Sequence, residues 1–224
     1  MKLVTFFVFV FLTANIYASG AKRPDLSESD VTTMEDFTPA LETTEAHELV
    51  EEKYAYIDQD KVIPPSLLTT ALNAYDANQK IIKNKDYLVV IDFKQHNSKK
   101  RFYLIDMVSG SVERYLTAHG KNSDPDFDGY ATKFSNTPDS LMSSLGFYLT
   151  AETYYGENGY SLRLDGLSPT NSNARARAVV IHGASYVKDL PLIGRSYGCP
   201  ALDEEYATQV IDTIKKGTLI YAAQ

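Results

Sequence analysis

A β-rich α+β domain with a few flanking helices is predicted for this chain of 224 residues. Three observations predict it. Short β-branched and aromatic runs recur from Tyr87 to His182, bounded by turn residues. Clear helical periodicity follows Pro64-Pro65-Ser66 and again follows Asp203. Strands therefore outnumber helices, and no internal repeat is present.

The first residues have a separate character. Met1-Lys2 is a short basic start, and Leu3 to Leu12 is apolar apart from Thr5. Small residues follow at Ala18-Ser19-Gly20. This is the layout of an export signal over residues 1–20, with cleavage expected after Ala18 or after Gly20. The apolar run is too short for a membrane span, so no stable span is expected after signal removal. Residues 21–60 hold 12 acidic and 3 basic side chains and are expected to form an acidic, flexible arm. A short helix is expected within it, from Glu45 to Tyr56. Residues 61–224 hold 17 acidic and 18 basic side chains and form the main domain. Its charge is nearly neutral, with no basic face to indicate nucleic acid.

Within that domain the elements follow in order. Leu68, Ala71, Leu72 and Tyr75 predict a helix that ends near Lys83-Asn84. Tyr87–Phe93 and Arg101–Asp106 read as strands, and Ser109-Gly110 turns the chain into a further strand over Val112–Ala118. Gly120–Ser144 is polar and turn-rich, and long loops in compact domains are often functional. Strands resume at Gly146–Thr150 and Ser161–Leu164, and Arg177–His182 reads as a buried strand ending at the histidine. Asp203–Lys216 predicts a helix with Tyr206, Val210 and Ile214 on one face, Asp203 as N-cap and Gly217 at C′. Thr218–Ala222 is the last strand.

Chemistry concentrates on Cys199, the single cysteine of the chain. In an exported protein it has no internal disulfide partner. A buried bystander, an intermolecular link and a reactive thiol are the alternatives, and the glycine-rich setting Gly194-Arg195-Ser196-Tyr197-Gly198-Cys199-Pro200 favours the last. A thiol attacks as thiolate and needs a base, and His182 stands 17 residues upstream with Gly183 behind it. Attack on a carbonyl also needs oxyanion donors. Pro200 has no N–H, so Gly198 and Tyr197 are the candidates. Arg195 either forks onto a substrate carboxylate or makes an ordinary loop contact. Ser196, Gly183 and His119 are the other candidates for the substrate cleft, His119 because it borders the long loop. There is no HExxH and no cysteine pair, so neither a metal nor another cofactor is expected.

These segments resemble the murein L,D-transpeptidase catalytic-domain family of the YkuD-like superfamily. The resemblance rests on Ile181-His182-Gly183 followed by Gly194-Arg195-Ser196-Tyr197-Gly198-Cys199-Pro200-Ala201. Ala118-His119-Gly120, Phe134-Ser135-Asn136, Ser143-Ser144-Leu145-Gly146 and Ser161-Leu162-Arg163-Leu164 support it. It implies a β-rich catalytic fold, Cys199 as nucleophile, His182 as its activator, and peptidoglycan stem peptides as partners in the periplasm or cell wall. The same site implies L,D-carboxypeptidase activity if water replaces the acceptor amine. Well-known superfamily members have a second histidine two residues before the cysteine, where this chain has Tyr197. That departure keeps a non-catalytic cell-wall binding module as the rival reading.

Overall fold

The protein is described from a computed structural model that covers residues 32–39 and 44–224. Three α-helices, α1 (Thr44–Lys53), α2 (Pro65–Ala77) and α3 (Glu204–Ile214), occur among the described residues. The strands are β1 (Tyr87–Asp92), β2 (Phe102–Asp106), β3 (Val112–Tyr115), β4 (Gly146–Gly156), β5 (Gly159–Gly166), β6 (Val180–Ala184), β7 (Leu202–Asp203) and β8 (Leu219–Ala223). They form one mixed sheet in the order β3-β2-β1-β8-β4-β5-β6-β7. The predicted class, β-rich α+β with few helices, is the observed one.

Alternation along the central strands explains the layering. Val89 and Ile91 of β1 enter one core with Ile220 of β8 and with Ala207, Val210, Ile211 and Ile214 of α3. Leu88 and Val90 enter the opposite core with Leu219 and with Ala71, Leu72, Ala74 and Tyr75 of α2. Both faces of the sheet centre are thus covered, which is why β1 reads as a continuous apolar run. β8 pairs parallel with β1 (Leu88 opposite Leu219) and antiparallel with β4 (Leu149 opposite Leu219).

Several boundaries differ from expectation for identifiable reasons. α2 stops at Ala77, because Asn78 turns its side-chain amide back onto the Ala74 carbonyl at 2.7 Å. The same amide exchanges hydrogen bonds of 2.8 Å with the backbone of Thr38, and Phe37 packs on Phe147. Residues 44–60 are therefore no flexible arm. α1 docks on α2, burying Val50, and the chain beyond it buries Tyr54 and Ile57. The Tyr54 hydroxyl donates to Asp76 at 2.8 Å. Acidic neighbours had masked so sparse an apolar stripe. The segment expected to be an export signal lies outside the described residues.

Around α3, Asp203 caps the helix as predicted, accepting from the Glu205 N–H at 3.1 Å. The left-handed turn after it falls on both Lys216 (φ 69°) and Gly217 (φ 95°). Tyr206 stays partly exposed beside Tyr115 while Val210 and Ile214 are buried.

Candidate active site

β6 continues two residues beyond His182, so the histidine sits at the centre of a strand and not at its end. Its ring is almost wholly buried, at 4% exposure. Nδ1 lies 2.9 Å from the carbonyl oxygen of Gly183. A carbonyl only accepts, so Nδ1 carries the proton and Nε2 holds the lone pair. Among the described residues Nε2 has no hydrogen-bond partner. Burial pushes the pKa of His182 below 6.5, with the Gly183 carbonyl pulling the other way. The imidazole is therefore neutral at pH 7, with a free basic nitrogen.

Gly183 faces the opposite side. A Cβ there would stand 3.1 Å from the Ala207 Cβ and 3.3 Å from the Glu204 Cα. Its missing side chain lets α3 lie directly on β6. The expectation that Gly183 lines the substrate cleft is corrected accordingly.

The Cys199 turn is strapped on both flanks. On one side Ser196 N–H donates to the His119 carbonyl at 2.9 Å, Lys121 N–H to the Ser196 carbonyl at 2.7 Å, and Ala118 N–H to the Ala201 carbonyl at 2.9 Å. On the other, β7 runs parallel to β6 with Leu202 opposite Gly183. Gly198 takes φ +126°, and a Cβ there would lie 2.8 Å from the Met142 carbonyl oxygen. Only glycine meets both demands. Ser196 works within the turn: its hydroxyl accepts from Gly198 N–H at 3.1 Å and donates to the Cys199 carbonyl at 2.6 Å. Ser196 is buried and thus shapes the turn rather than facing a substrate.

That arrangement alters the oxyanion assignment. Gly198 N–H is already engaged by Ser196, which removes it as a free donor. The N–H groups of Tyr197 and Cys199 have no acceptor among the described residues. The Tyr197 side chain is 75% exposed and points to solvent.

Cys199 itself is half-buried. Its Sγ lies 3.7 Å from the Ala178 carbonyl oxygen, and Ala178 holds a left-handed φ of 53°. Burial pushes the thiol pKa up from 9.0, while the Val180 N–H and the Arg177 charge hold it down. Thiol and imidazole make no hydrogen bond to each other in this arrangement.

His119 and Arg195 depart most from expectation. His119 is fully buried, with Nδ1 accepting from Arg101 Nη2 at 2.9 Å and Nε2 3.3 Å from Asp124 Oδ2. Arginine only donates, so His119 is neutral and its proton sits on Nε2. Both nitrogens are occupied beneath the surface, and the ring does not line a cleft. Arg195 takes the ordinary loop role. It donates to the carbonyls of Lys121 and Asp124, and its guanidinium lies 4.1 Å from the Phe127 ring centre.

Sequence reasoning missed Arg177. Its guanidinium donates to the carbonyls of Ser135 (2.8 Å) and Met142 (2.6 Å) and to the hydroxyls of Ser140 (3.2 Å) and Ser144 (3.3 Å). It thereby draws the Gly120–Ser144 loop onto the Cys199 turn. The one available signal was its place five residues before His182.

Clefts of about 410, 370 and 270 Å³ all border Arg114, and neither Cys199 nor His182 lines them. Among the described residues no group of three or more His, Cys, Asp or Glu could hold a metal ion. No described helix is long and apolar enough to cross a membrane.

The lone thiol and a histidine of fixed tautomer thus both sit on the β6 side of a β-rich scaffold. Residues 59–223 match the L,D-transpeptidase catalytic domain family, and the chain belongs to that family. Among solved structures, an L,D-transpeptidase from Mycobacterium tuberculosis is 15% identical (TM-score 0.41), the match covering 62% of this chain and 58% of that one. An L,D-transpeptidase from Mycobacterium smegmatis is 16% identical (TM-score 0.39; 62% and 59%). The helical cell shape determining protein Pgp2 from Campylobacter jejuni is 13% identical (TM-score 0.37; 64% and 50%). The chain thus spans only about three fifths or less of these structures. No curated protein matches it.

Proposed function

We propose that the chain is an exported L,D-transpeptidase that carries a peptidoglycan stem peptide as a thioester on Cys199. The observation that carries this reading is the free Nε2 of His182, its tautomer set by Gly183, on the strand flanking the only thiol. The thiol first rotates from Ala178 toward Nε2, because a base must come within hydrogen-bond reach. Sγ then attacks the carbonyl carbon of the L-centre at stem position three as its proton passes to Nε2. The carbonyl electrons move onto oxygen, opposite the free N–H groups of Cys199 and Tyr197. Collapse breaks the bond to the terminal D-residue, whose amine leaves with the proton from Nε2. The amine of a second stem attacks the thioester and forms the cross-link; Cys199 regains its proton through His182. Tyr197 is exposed to solvent, so His182 is the one base in this proposed step. The site of action is the periplasm or cell wall, where this substrate lies.

Purified disaccharide-tetrapeptide, followed by mass spectrometry of protein and products, tests the reading. A Cys199 adduct lacking the terminal D-residue and a cross-linked dimer are expected, with neither formed by Cys199→Ala. Tripeptide without dimer assigns an L,D-carboxypeptidase. Neither adduct nor product overturns the enzymatic reading in favour of a binding module.

A further inference from the structure

Arg175 and Arg177 stand two residues apart with opposite electrostatic surroundings. Arg175 is matched by two carboxylates, its Nε bonding Asp165 and its Nη atoms donating to Glu152 at 3.1 Å. Arg177 has only neutral acceptors: two carbonyls and two hydroxyls. No carboxylate pairs with it among the described residues, and its buried Nε–H has no acceptor. A partly buried cation without a counter-ion is unfavourable, and such groups are normally paired. The exception is placed where a negative charge would form. Nη2 lies 3.4 Å from the Cβ position of Gly198, the residue that precedes Cys199. The same Nη2 holds the Met142 carbonyl that rests against Gly198.

We propose that Arg177 is a positioning residue for the nucleophile: it fastens the Ser135–Ser144 segment onto the Cys199 turn, and its missing counter-ion is the thiolate of Cys199 itself. Electrostatics agree: burial works against the Arg177 charge, Tyr148 and then Cys199 favour it, and burial of the thiol is opposed by the Val180 N–H and then by Arg177, which favour thiolate. The inference rests on Cys199 as nucleophile, and not on the identity of the acyl donor.

Alkylation by iodoacetamide, followed across pH by intact-protein mass, reads the thiolate directly and needs no stem peptide. Arg177→Gln is expected to move the alkylation midpoint up by about half to one pH unit, or about three- to tenfold slower modification below it. Arg177→Lys keeps the charge but not the forked grip. Its midpoint is expected within a few tenths of a unit of wild type, while acylation by tetrapeptide falls about tenfold. An unmoved midpoint in folded Arg177→Gln overturns the proposal. If circular dichroism shows that variant unfolded, Arg177→Lys decides, and an upward shift of about a unit there overturns it. A protein that no stem peptide acylates would still give this pH profile, so the two readings fail separately.

Discussion

The hydroxyl of Ser143 donates to the carbonyl oxygen of Gly198 at 3.2 Å. That bond fixes the peptide plane between Gly198 and Cys199, and a trans plane holds its N–H opposite its carbonyl. The Cys199 N–H is thus aimed by a serine 56 positions earlier in the chain. The same hydroxyl accepts from Gly120 N–H at 3.0 Å.

Ser143→Ala removes the anchor of the N–H that we propose as an oxyanion donor. The maximal rate of acylation is expected to fall about tenfold with KM little changed, as for loss of a contact made only in the transition state. Two buried backbone groups also lose their partner, which costs about 1–3 kcal/mol. Stopped kinetics and urea unfolding of the variant separate the two effects. An unchanged maximal rate would sink the assignment.

In the mechanism proposed above, His182 must be neutral to accept the thiol proton. Burial lowers its pKa, so the neutral form persists below pH 6.5. The acid limb of the pH–rate profile for kcat/KM is therefore expected to have its midpoint below 6.5. A midpoint above that value contradicts the buried, Gly183-bonded imidazole. On the alkaline side, the raised thiol pKa predicts slow alkylation at pH 7 and acceleration above pH 9.

His119 makes acid stability a second readout. Burial first, then the Arg101 charge, lower its pKa from 6.5 to about 4, opposed by Asp124. Between those values the unfolded chain binds a proton that the folded chain does not. Stability from this group is thus full above pH 6.5 and is lost as pH falls toward 4, by an amount on the order of 3 kcal/mol. Urea midpoints across this window should fall more steeply in wild type than in His119→Gln. His182, depressed for the same reason, accounts for part of the slope that remains. Parallel slopes in the two proteins would refute the role of His119.

Gly183→Ala introduces a methyl 3.1 Å from the Ala207 Cβ. It should destabilise the fold by about 1–3 kcal/mol through displacement of α3. Adding Ala207→Gly opens that contact, at about 1 kcal/mol in helix propensity. A double-mutant cycle by thermal unfolding should show the two changes coupled. Additive effects would mean that α3 does not touch β6 there.

The candidate residues that the sequence offered are those marked by local context, whereas contacts made by distant segments were not legible in it. Cys199 and His182 stand out because their residue types, order and glycine setting are local facts. His119 looked equally exposed to chemistry. Its burial depends on Arg101, which comes back from β2's leading edge to bond it. Arg177 was silent because its acceptors lie 33–42 positions upstream and approach only once the loop folds back. Among the elements, β1 and α3 announced themselves through long apolar patterns. β7 is two residues long and exists only because β6 passes beside it. α1 buries Val50 while Glu48, Glu51, Glu52 and Lys53 stay exposed, a pattern that acidic composition conceals.

β8 comes after every other strand in the chain, yet it is the seam of the sheet. β1, β2 and β3 lie on one side of it and β4 to β7 on the other. Without residues 219–223 the two halves meet only through isolated bridges such as Thr117 with Leu202, and not through a strand ladder. Pairing Leu88 with Leu219 then closes a separation of 131 positions in one step, a slow event for a chain of this size. An early stop within β8 would thus leave two half-sheets that touch only around Thr117 and Leu202.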